Sequence, residues 1–273
     1  MSRAPRKALP GILFIVCAVI LTLWNCLRGP GLANNAYATG WILLGLMVFL
    51  ALFNVRKKLP APHLGRGRSW LKAHLYAGLF TVIAYALHAG FRWPTGILEG
   101  TLAALYYGLF LTGLLGWYLS RSFAKRMTTR GNEVIFEQIP AERKAVAESI
   151  RQLALESVTG TGESSIADFY ERSLMGFLDG QKNRMLHLGE SSRPLVALQR
   201  EMKNLRRYLD ADGKESLAQI EALVERKDAL DYHAALQGLL KGWLFIHIPL
   251  TWMLMAILLL HVLVVYAFSG GAL

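Results

Sequence analysis

The sequence predicts an all-α fold: an integral membrane bundle of five transmembrane helices with a helical cytoplasmic insert between the fourth and fifth. Three observations carry this expectation. Hydrophobic residues make up 53% of the 273 positions and the mean hydropathy is +0.33, a profile of membrane rather than soluble chains. Apolar runs free of charge recur at about the twenty-residue length that crosses a hydrocarbon core. Between the fourth and fifth runs the pattern changes to charged sequence with apolar residues every third or fourth position, the period of amphipathic helices.

Taken in chain order, the first span covers residues 11–27. It follows a basic start, Arg3, Arg6 and Lys7, and reads as an uncleaved helix, because the small residues Ala36 and Ala38 lie too far beyond its apolar core for a signal-peptide cleavage site. Its two cysteines, Cys17 and Cys26, are the only ones in the chain. With no CxxCH present, covalent haem, a zinc site and a disulfide framework have no support. The second span covers 37–54, the third 70–91 and the fourth 96–119. The insert follows, and the fifth span covers 242–268, with Pro249 expected to kink it. The organisation is thus 1–120 for the first four helices, 121–240 for the insert, and 241–273 for the last helix and an external tail.

Within the insert, residues 141–157, 194–209 and 215–230 show helical periodicity. Residues 210–213 read as a break, and 158–165 as a flexible Gly/Thr/Ser connection. The insert is either a small helical domain or a set of long extensions of the flanking spans.

The formal charge of +11 is placed outside the insert, which holds 18 Lys/Arg and 18 Asp/Glu. The excess flanks the apolar runs, as a topology signal does, and nucleic acid is not an expected partner. Arg56, Lys57, Lys58, Arg66 and Arg68 follow the second span, and Arg121, Lys125 and Arg126 the fourth, whereas the first and third connections carry only Arg28 and Arg92. The positive-inside rule then gives N-terminus in and C-terminus out. Trp24, Trp41, Trp70, Trp93, Trp117 and Trp243 fall near span ends, as an interfacial aromatic belt would.

Four of the seven histidines lie inside apolar spans, where an ionisable ring is costly without a partner. The third span reads HLYAGLFTVIAYALH from His74 to His88, and the fifth HIPLTWMLMAILLLH from His247 to His261. Fourteen positions advance a helix by about 21 Å and return to within roughly 40° of the starting face. Each pair therefore points one way, with a histidine near each end of the hydrocarbon core. Both spans run from inside to outside, so His74 is expected opposite His247 at the inner level and His88 opposite His261 at the outer level. Two bis-histidine sites of this kind suit low-spin haem and electron transfer. A metal transporter would be expected to add carboxylates at membrane depth, yet Glu99 is the one acidic residue in any span. A histidine-lined transporter, or a non-redox scaffold binding partners through the insert, is the contrasting reading. The other histidines, His63, His187 and His233, are expected on the solvated surface.

The paired motif resembles the ferric reductase-like transmembrane domain and is similar to the haem-binding half of respiratory cytochrome b. The resemblance covers residues 70–268 apart from the insert. It implies that His74, His88, His247 and His261 are iron ligands for two haem b groups. Five spans are expected where the reductase domain has six, and no PEWY sequence is present. Gly78, one turn beyond His74, offers room for a macrocycle; Arg28 and Arg92 are candidates to pair with propionates of the outer haem. With no complete nucleotide- or flavin-binding motif, electrons are expected from redox partner proteins on one or both faces or from a quinone. The expected setting is membrane lipid, in a bacterial cytoplasmic membrane.

Overall fold

A computed structural model describes residues 5–27, 32–58, 67–128, 134–161 and 164–268. Its long helices are α1 (Pro5–Leu27), α2 (Leu32–Lys58), α3 (Gly67–His88), α4 (Ile97–Met127), α5 (Ile139–Thr161), α9 (Arg193–Leu205) and α10 (Ala211–Phe268). Short helices α6 (Ser165–Phe169), α7 (Met175–Leu178) and α8 (Arg184–Leu188) lie between α5 and α9, and a π turn, Tyr170–Leu174, joins α6 to α7. There is no strand among the described residues. Four helices are long and apolar enough to cross a membrane: the Ala36–Phe53 part of α2, α3, α4 and α10; the Phe14–Trp24 stretch of α1 is apolar but shorter. Many of their large apolar side chains, such as Leu52, Leu111, Leu259 and Leu263, face outward, the arrangement that lipid contact requires. The chain is therefore an integral membrane protein.

The chain divides into two compact units: residues 1–117 with 243–273, and residues 118–242. In the first, α1 and α2 both pack along α3. Its core draws on Leu21 of α1, Leu43 and Met47 of α2, Ala84 of α3, Tyr106 of α4 and Leu254 of α10. Two hydrogen-bonded groups link its helices. The Thr81 hydroxyl reaches both the Gly78 carbonyl (2.7 Å) and the Tyr106 hydroxyl (3.2 Å), and Trp41 Nε1 donates to Tyr266 across α2 and α10 (3.1 Å). Helix α3 stops at His88 because Gly90 and Phe91 turn left-handed (φ 58° and 57°), with the Phe91 amide donating back to the Ala86 carbonyl (3.0 Å). That is a Schellman-type stop, and glycine relieves its first position.

The second unit has its own core, built from Ile150 and Ala154 of α5, Phe169, Leu174, Met202 of α9, and Ile220 and Val224 of α10. Buried in it is an ionic cluster. Lys227 Nζ donates to Asp231 Oδ2 (2.6 Å) and to the Phe177 carbonyl (2.6 Å). Asp231 also accepts from Arg143 Nη1 (3.2 Å) and the Lys182 amide (3.1 Å).

Several expectations are revised here. Helix α10 is one 58-residue element that includes Pro249; it joins the 215–230 helix to the fifth span, one of the two arrangements the sequence left open, and residues 231–241 contain only Gly238 as a weak breaker. Helix α5 continues to Thr161, into the stretch read as a flexible link. His187 and His233 are buried, not solvated. The insert folds a core of its own, and both histidines are enclosed within that unit, His187 beside Asp228 (3.8 Å). His63 lies outside the described residues.

Candidate functional site

The first unit carries all four span histidines, each half-buried. At the end of α3, His88 meets His261 of α10, with ring centroids 6.5 Å apart and planes at 90°. A metal ion between the two rings would call for a centroid spacing of about 6.2 Å, from bonds of about 2 Å and about 1.1 Å between each nitrogen and its ring centre. The observed spacing is close to that value. His88 Nδ1 lies 3.0 Å from the Ala36 carbonyl. A carbonyl only accepts, so Nδ1 carries the proton and Nε2 keeps its lone pair for a metal. Gly40 of α2 makes the space: a Cβ there would fall 2.9 Å from His88 Cε1 and 3.2 Å from Nδ1.

His74 and His247 are set among different neighbours. His74 packs against Phe53 of α2 (centroids 4.9 Å). His247 stacks on Trp243 (5.1 Å, 29°), its Nδ1 lies 2.9 Å from the Thr112 hydroxyl of α4, and its Cε1 would touch a Cβ at Gly113 (3.7 Å). Trp243 in turn donates from Nε1 to the Thr112 carbonyl (2.8 Å). Gly116 is required beneath this indole, because a Cβ there would overlap it at 1.9 Å.

Of the other residues singled out in the sequence, Gly78 has open space beside its Cβ position, compatible with a bulky planar group one turn from His74. Arg92 is exposed in the turn after α3 and lines a cavity of about 610 Å³ between α3 and α4, with Tyr85, Tyr106 and Tyr107. Arg28 lies outside the described residues. Sequence reasoning missed Ala36, Gly40, Thr112 and Trp243 as partners of the histidines. Only Gly40, a glycine inside an otherwise bulky apolar span, left a trace that could have been followed.

Among the described residues, no cluster of three or more His, Cys, Asp or Glu side chains gathers at one point. Two imidazoles alone hold a bare ion weakly, but they suffice when a macrocycle fills the remaining positions. Comparisons of the chain with family models, characterised proteins and solved structures give no match.

Proposed function

We propose that the protein is a membrane b-type cytochrome carrying electrons across the bilayer through two bis-histidine haems, as a subunit of a larger redox complex. The observation that carries this reading is the 6.5 Å spacing of His88 and His261, combined with the same fourteen-residue spacing on both helices. His88 and His261 would hold the outer group and His74 and His247 the inner one. Haem held by these histidines would supply one-electron exchange. The chain's own work is to hold the imidazoles at the right separation and tautomer, to exclude water with the apolar core around Ala84, Tyr106 and Leu254, and to bury the centres in a low dielectric. In this reading α1 is a fifth span, the N-terminus faces the cytoplasm of a bacterial cell, the C-terminus faces outward, and residues 121–240 form a cytoplasmic docking module for a redox partner. A quinone is a further candidate donor or acceptor.

An absorption spectrum of the purified full-length protein, before and after dithionite, tests this directly. The expected result is a reduced b-type spectrum with two haems per chain. Replacing His74 or His247 by Ala abolishes the same haem, and replacing His88 or His261 abolishes the other. A colourless preparation from a haem-sufficient host would refute the reading.

A further inference from the structure

We propose that Thr112 is a positioning residue for His247: its hydroxyl passes a hydrogen bond from His247 Nδ1 on to the Leu109 carbonyl, and thereby sets the potential of the inner haem. This inference rests on the di-haem reading above. Thr112 Oγ1 lies 2.8 Å from the Leu109 carbonyl, which can only accept, so the one hydroxyl proton is committed there. The same oxygen lies 2.9 Å from His247 Nδ1 and, with its proton already given away, can only accept from it. His247 Nδ1 therefore carries the ring proton. A neutral imidazole has one N–H, so Nε2 is left with its lone pair for a metal.

Three further contacts remove the freedom of the ring. The Trp243 indole stacks on it, the Trp243 Nε1–H is tied back to the Thr112 carbonyl, and Gly113 and Gly116 let α4 approach. The outer ligand is built differently, because His88 Nδ1 donates to the Ala36 carbonyl with no hydroxyl between. An acceptor on Nδ1–H makes an imidazole more electron-donating, which favours oxidised iron and lowers the potential. Removing the Thr112 hydroxyl therefore raises the potential of the inner haem and leaves the outer one unchanged.

The test uses redox titration of the full-length haem-loaded protein, resolving both midpoints, with low-spin ferric EPR as a second readout. Thr112→Val is expected to favour reduction of one haem by about tenfold, or about 59 mV for a one-electron couple. The affected haem is the one that His247→Ala abolishes. Thr112→Ser restores the wild-type midpoint, and the EPR signal of the same haem shifts and recovers with it. Two bound haems with both midpoints unmoved in Thr112→Val, or a shift that Ser does not reverse, overturns the inference while leaving the di-haem reading intact. A wild-type chain without haem overturns both. Should Thr112→Val not fold, Trp243→Phe keeps an aromatic ring but loses the donor to Thr112; it is expected to move the same midpoint, and its failure to do so is equally decisive.

Discussion

Gly40→Ala is the sharpest probe of the outer site. The new Cβ would stand 2.9 Å from His88 Cε1 and 3.2 Å from Nδ1, against an optimum of about 3.5–4.0 Å, so the ring must retreat by roughly 0.6–1 Å. It has little room to do so, because Nδ1 is tied at 3.0 Å to the Ala36 carbonyl, one turn before Gly40 on the same helix. Retreat stretches that bond beyond useful range. Its loss costs about 0.5–1.5 kcal/mol, and the steric strain adds about 1–3 kcal/mol. The helix preference for Ala over Gly returns about 1 kcal/mol, which leaves a net penalty of about 0.5–3.5 kcal/mol concentrated on His88. The expected outcome is a roughly 10- to 100-fold weaker hold on the outer haem, the range typical for disturbed partners of metal-bound histidines. Haem stoichiometry and reduced-minus-oxidised spectra read this, with Gly45→Ala as the control, since a Cβ at Gly45 meets nothing within 4 Å. Gly40→Ala protein that keeps both haems, with unchanged spectra and midpoints, would refute the reasoning.

Three other outcomes are expected. In sealed vesicles loaded with dithionite and facing an impermeant acceptor, the wild-type protein carries electrons outward and His88→Ala does not; equal rates from both would exclude the histidine route. Asp231→Ala strands the fully buried Lys227 ammonium and destabilises the protein by about 3–5 kcal/mol, seen as a lowered Tm by circular dichroism. The double change Lys227→Met, Asp231→Leu costs less because the fully buried Lys227 charge is removed with its partner, although Arg143 still loses its acceptor, and a single variant as stable as wild type would contradict this. The hydrogen bond from Lys241 holds the exposed Glu137 carboxyl below its ordinary value, so its contribution is fully present above about pH 4.5 and fades as pH falls through the depressed value. Any Tm difference between wild type and Glu137→Gln is therefore confined to the less acidic side, and one that grows on acidification would reverse the assigned sign.

The all-helical, membrane-embedded character of the chain was legible because it depends on local constants, although five spans were expected and four described helices have spanning length. Rise per residue sets the length of an apolar run that crosses lipid, and helical twist puts residues fourteen apart on nearly one face. The same reasoning failed where burial is decided by distant packing. His187 and His233 sit in charged, loosely patterned sequence, yet both are enclosed, flanking the Tyr232 ring. Short elements such as α6 to α8 carry too few residues to show a period.

The chemistry of the ligands lies further still from the sequence. The residue types and the spacing of His74, His88, His247 and His261 follow from the chain alone. The acceptor for His88 Nδ1 comes from a carbonyl 52 positions away, and that for His247 from a hydroxyl 135 positions away. A backbone carbonyl has no side-chain identity to read, and a threonine in an apolar helix is silent until another helix is laid against it. Sequence determined which rings are available and how far apart they lie along their helices. Tertiary packing alone decided which nitrogen of His88 and of His247 carries the proton, because a tautomer is set by whichever acceptor the fold brings within about 3 Å.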